Sequence, residues 1–120
     1  MEDRIRFITH QGKRILFVDC SGCSADELEQ ISKLVPSYVT AEPKESLLLL
    51  ADFTGAQFDR DAVEQMKQGA VYDRPYLKRS AWFGAENLPH VFHEHLKNFS
   101  QRDLPLFKTK EEALDWLVKG

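Results

Sequence analysis

The sequence has no long apolar run, no strong excess of either charge and almost no cysteine. Its longest apolar stretch, Leu47-Leu48-Leu49-Leu50-Ala51, falls far short of the roughly 20 residues a membrane-spanning helix needs. The opening Met1-Glu2-Asp3-Arg4 lacks the basic start and apolar core of a secretory leader, which predicts a cytoplasmic chain with no membrane span. Two cysteines cannot staple a disulfide scaffold, and in that compartment they are expected to be reduced. A formal net charge of -3 with mixed signs gives no general attraction to phosphate backbones, so no nucleic acid partner is expected. The 6 glycines and 5 prolines are scattered, leaving no linker, repeat or low-complexity tract. With 42% hydrophobic residues, the 120-residue chain is sized for one core, and 1–120 is read as a single domain.

Apolar residues are arranged in short runs separated by helical spacings. Ile5–Thr9 and Arg14–Cys20 flank a glycine turn at Gln11-Gly12-Lys13, an antiparallel hairpin. Ser24-Ala25-Asp26-Glu27 has the form of a capping box, followed by Leu28, Ile31, Leu34, Val35 and Tyr38 at helical spacing; Pro36 is expected to kink or end that helix near its last turns. Leu47–Ala51 lacks period-2 alternation, as a strand covered on both faces does, and it stops at Asp52-Phe53-Thr54-Gly55. Asp59 caps a second helix with Val63, Met66, Ala70 and Val71 facing inward, until Pro75 ends it. Tyr76–Gly84 reads as a strand. A third helix starts at Asn87 and buries Leu88, Val91, Phe92, Leu96 and Phe99. Leu104–Phe107 is a short strand placed near an edge by Pro105, and Thr109-Lys110-Glu111-Glu112 opens a fourth helix. The order is ββαβαβαβα: an α/β domain with a mostly parallel five-stranded sheet, an antiparallel N-terminal edge strand and four helices.

Asp52-Phe53-Thr54-Gly55 after the third strand, Asp59-Arg60-Asp61 at the next helix start and the ending Glu111-Glu112-Ala113-Leu114-Asp115-Trp116-Leu117 give the chain its family likeness. It resembles the STAS, or anti-sigma-factor antagonist-like, family, in particular small stand-alone bacterial members grouped with STAS and CRAL-TRIO domains. The resemblance implies a protein-binding or ligand-sensing module without catalytic activity of its own. In the antagonists a kinase phosphorylates a serine at the start of the second helix, in a motif Asp-Ser-Ser-Gly. The comparable stretch here, Asp59-Arg60-Asp61-Ala62, has no serine. Asp61 instead carries a permanent charge at the helix N-terminus, and Thr54 is the one hydroxyl in the preceding loop.

Other constellations carry their own chemistry. Cys20-Ser21-Gly22-Cys23, between a strand and a helix start, is where a thiol oxidoreductase pair would sit; against it, Cys20 shares a strand face with Leu16 and Val18, and Cys23 occupies a staple position opposite Leu28. His90, His93 and Glu94 share a helix face, yet so does Lys97, and a solvated polar face is the expectation; His95 is read as a core or edge residue. Asp19 and Asp52 end adjacent strands and would suit a divalent cation, or else hold their own loops. Trp82, Phe83 and Gly84, with Tyr76, would line an apolar small-molecule or lipid cleft. No metal or cofactor is expected. The reading is a non-enzymatic binding module that contacts a protein partner, or a second copy, through Asp52, Thr54, Gly55, Asp59 and Asp61. If the helices crowd one sheet face, the other is left for dimer formation.

Overall fold

The computed structural model describes residues 2–100 and 104–119. A 3-10 turn at Glu2–Arg4 leads into β1 (Ile5–His10) and β2 (Lys13–Asp19), then α1 (Ala25–Val39), β3 (Leu47–Asp52), α2 (Arg60–Asp73), a 3-10 turn at Arg74–Tyr76, β4 (Leu77–Phe83), α3 (His90–Ser100), β5 (Leu106–Phe107) and α4 (Lys110–Lys119). The strands lie side by side in chain order, with β1 antiparallel to β2 and the rest parallel. The expected order and sheet are therefore present.

Local chemistry explains most boundaries. Gln11 and Gly12 both have positive φ, the signature of a two-residue I′ hairpin loop whose twist matches its strands. Ser24 accepts the Glu27 amide while the Glu27 carboxylate accepts the Ser24 amide, a complete capping box. Asp59 caps α2 through the Ala62 amide at 2.8 Å, and the Thr109 hydroxyl accepts the Glu112 amide at 3.2 Å before α4. Pro36 falls near the end of α1, as expected, and the helix stops at Val39. It lies in the last turns, where its missing N–H deprives only the Ser32 carbonyl, and its own carbonyl still accepts from Thr40 at 2.9 Å. Pro75 ends α2 through a 3-10 turn, so β4 starts at Leu77 rather than at Tyr76.

Two apolar layers sandwich the sheet. On one face Leu16, Val18, Leu49, Ala51 and Trp82 pack under Leu28, Ile31, Val63, Met66 and Leu96 of α1, α2 and α3. On the other, Ile15, Phe17, Leu48, Leu50, Ala81 and Phe83 meet Ala113, Leu114 and Leu117 of α4. The second face is thus closed by α4 and is not left for dimer formation; the crossovers put three helices on one side, and the chain turns to the other after β5. Arg79 fastens α4 there, donating to the Trp116 carbonyl at 2.6 Å with its guanidinium 3.9 Å from the indole centroid.

Helix α3 departs most from expectation. It begins at His90, just past Pro89, and Val91 and Phe99 are 55% and 54% exposed rather than buried. His95 is exposed, whereas His93 turns inward to the Leu104 carbonyl at 2.9 Å and towards the Trp82 ring. Val71 of α2 is likewise 42% exposed. Helical spacing gives a period but not its phase, and a stripe of Leu88, Phe92 and Leu96 is compatible with two neighbouring faces. None of the described helices is long and apolar enough to cross a membrane.

Candidate functional site

The parallel register sets Asp19 of β2 opposite Asp52 of β3, and Asp52 opposite Phe83 of β4, so the strands finish together at one edge. The chain leaves this carboxyl edge in three loops that hydrogen-bond across one another. Cys20 N–H donates to the Asp52 carbonyl and Gly22 N–H to that of Thr54, both at 2.8 Å. Phe53 N–H donates to the Phe83 carbonyl at 3.0 Å, and Gln57 N–H to that of Cys23 at 2.9 Å. The Asn87 side chain reaches back to the Ala56 carbonyl at 3.0 Å.

The aligned carboxylates are both engaged by their own loops. Asp19 accepts the Ser21 amide at 3.0 Å and its hydroxyl at 2.6 Å, and Asp52 accepts the Thr54 amide at 2.9 Å. Burial alone would raise the Asp19 pKa, but the Ser21 hydroxyl and amide, followed by Arg4 and Arg6, outweigh it and hold the carboxyl below its ordinary value. Arg4 also donates to the carbonyls of Asp19 at 3.2 Å and Ser21 at 2.9 Å, tying the N-terminal turn to the site. Nothing in the sequence marks Arg4 for this role, because its partners lie 15 and 17 positions away and it belongs to no motif. Among the described residues, no group of three or more His, Cys, Asp or Glu side chains is placed to hold a metal ion.

Of the five residues proposed to meet a partner, Thr54, Gly55, Asp59 and Asp61 are exposed and Asp52 is half-buried beneath them. Asp61 stands in the first turn of α2, while the Asp59 carboxylate is committed to its cap. The other candidate groups do not assemble. Trp82 and Phe83 point to opposite faces of the sheet, into different cores, so they line no common cleft. Trp82 does border a narrow crevice between α1, α2 and the sheet, with Val35, Met66, Gly69 and Asp73, but its 70 Å³ lies well below the ~300 Å³ at which ligand pockets begin.

Both cysteines are free and buried, Cys20 2% and Cys23 0% exposed. Burial pushes both thiols up, with the neighbouring Cys23 and Asp19 adding to the shift at Cys20. Thiol exchange needs an accessible thiolate, and these side chains instead pack with Leu16, Val18 and Leu28. His90 pairs with Glu94 at 3.8 Å, as does Lys97 at 3.7 Å, but His93, expected on the same solvated polar face, turns inward instead.

Sheet order and the single antiparallel edge strand make this an α/β domain with a SpoIIAA-like fold. Among solved structures, the chain matches an uncharacterized protein from the DUF3478 family with a SpoIIAA-like fold, from Shewanella loihica PV-4, with a TM-score of 0.70 and 22% sequence identity. The match covers 94% of this chain and 91% of that one. What the two share at that identity is the fold. No protein-family model matches the chain, and no curated protein does.

Proposed function

We propose that this domain is a non-enzymatic protein-binding module whose contact surface is the carboxyl edge of its sheet and the start of α2. The reading rests mainly on how the edge is built. Its three loops are bonded to one another and leave the tips Thr54, Gly55, Asp59 and Asp61 exposed, while the side chains with catalytic potential, Asp19, Ser21 and Asp52, are engaged by the loops themselves. Such a surface is preorganised, so a partner would meet it without first ordering it. Asp61 supplies a negative charge in the first turn of α2, at the positive end of the helix dipole.

Native mass spectrometry of the protein gently purified from its own host, compared with Asp61→Arg, tests the reading. A protein that accompanies wild type and is lost from the variant supports it. Partners indifferent to the substitution, or a co-purifying small molecule in their place, would overturn it.

A further inference from the structure

β5 is only two residues long and pairs with Trp82 and Phe83, so the first part of β4 has no β5 residue beside it. Leu104 has φ +44, and the extended course of β5 therefore does not continue back along β4. The result is a notch of 390 Å³ beside residues 77–80, bounded by Leu104, Pro105 and Trp116, at the end of β4 away from the carboxyl-edge loops. Unlike the crevice at Trp82, it falls within the ~300–1,000 Å³ range of small-molecule sites.

The chain has 19 acidic and 16 basic residues, yet the notch reverses that balance. Arg74, Lys78 and Arg79 line it, and no acidic side chain is among its described lining residues. The flanking Asp73 lines the crevice between α1 and α2, and the flanking Asp115 pairs with His10 at 3.3 Å. Arg79 is fixed in place without a ligand: its guanidinium sits over the Trp116 ring at 3.9 Å and uses one of its five N–H groups on the Trp116 carbonyl at 2.6 Å. A donor already held in this way loses little freedom on binding. Lys78 is exposed and, among the described residues, makes no ion pair.

We infer that this notch binds a small organic phosphate, a phosphomonoester carrying an apolar ring or chain. The phosphate lies among Arg74, Lys78 and Arg79, and the apolar part lies against Leu104, Pro105 and Trp116. Two guanidinium forks and an ammonium match the charge of a phosphomonoester, about -1.5 to -2 at neutral pH, better than that of a single carboxylate. The apolar wall has no use for a bare anion, which favours an organic ester over inorganic phosphate. The site is separate from the partner surface proposed above and does not depend on it.

Phenyl phosphate, titrated into the full chain and followed by main-chain and indole NMR shifts, tests the inference. Saturable shifts should centre on Lys78, Ser80 and Trp116 and be half-complete at about 1 mM, an ordinary affinity for a ligand of that size. Inorganic phosphate should bind the same residues about ten-fold more weakly, since it leaves the apolar wall uncovered. Arg74→Glu and Lys78→Glu, both at exposed positions, should each weaken phenyl phosphate about ten-fold with unchanged circular dichroism. Shifts still linear at about 20 mM, or centred away from the notch, overturn the inference. So does equal binding of inorganic phosphate, or an affinity unchanged in both folded variants. Should either variant fail to fold, the shift map and the comparison of the two phosphates on wild type decide the matter.

Discussion

Thr54 lies directly over Gly84: a β-carbon at Gly84 would stand 2.9 Å from the Thr54 nitrogen and 3.0 Å from its α-carbon. The loops after β3 and β4 approach each other at this point more closely than any side chain at Gly84 allows, and Gly84 also has φ +70.

Gly84→Ala should therefore cost about 3 kcal/mol, combining left-handed backbone strain with overpacking against main chain that cannot yield. Gly22, with φ +66 and nothing within 4 Å of its built β-carbon, provides the comparison. Gly22→Ala should cost about 1 kcal/mol, from backbone strain alone. Denaturant titration of both variants checks the difference.

The lowered pKa of Asp19 makes its contribution depend on pH. Its folded value lies below the ordinary 3.8, so the stabilisation is complete well above pH 3.8 and is lost as pH falls through the lowered folded value. Asp19→Asn should be less stable than wild type at pH 7, and the gap should close in acid. Thermal melts from pH 7 to pH 2.5 would show convergence; a constant gap would mean that the Ser21 and Arg4 contacts carry no charge-dependent energy.

Buried thiols with raised pKa values predict inertness. Neither Cys20 nor Cys23 should react with a disulfide reagent in the folded protein at pH 8, and both should react once it is denatured. Because the folded thiols hold their protons above the ordinary 9.0 at which unfolded cysteines ionise, stability should also fall as pH rises past that value. Rapid labelling of native protein would contradict the packing described for both side chains.

Arg79 holds the inner side of α4 through one short hydrogen bond and one stacking contact. Replacing it by Leu should cost about 1.5–3 kcal/mol, the range for hydrogen bonds to charged groups. The added hydrogen exchange should be concentrated in α4. Uniform loss of protection across the chain would show that α4 does not open separately.

The capping box at Ser24, the side-chain caps at Asp59 and Thr109 and the doubly covered strand Leu47–Ala51 were all legible in the sequence, because each depends on residues within a few positions of one another. The alignment of Asp19 with Asp52 was legible too, since both end strands of a parallel sheet. The inward turn of His93, the exposure of Val91 and Phe99 and the grip of Arg4 on Asp19 and Ser21 were not. Each depends on how an element is rotated or where a distant segment returns. The end of α1, by contrast, was legible in the same way as the caps: Pro36 marks its last turns, and the helix stops at Val39.

The helix that closes the second face is synthesised after every strand it covers. Until Ala113, Leu114 and Leu117 have emerged, a growing chain carries a formed or forming sheet with Ile15, Phe17, Leu48, Leu50 and Phe83 open to whatever is nearby. The order of synthesis thus creates an interval in which three helices can already dock on one side while the other remains sticky. During that interval, chaperone capture and misassembly compete for the same apolar patch that α4 later hides.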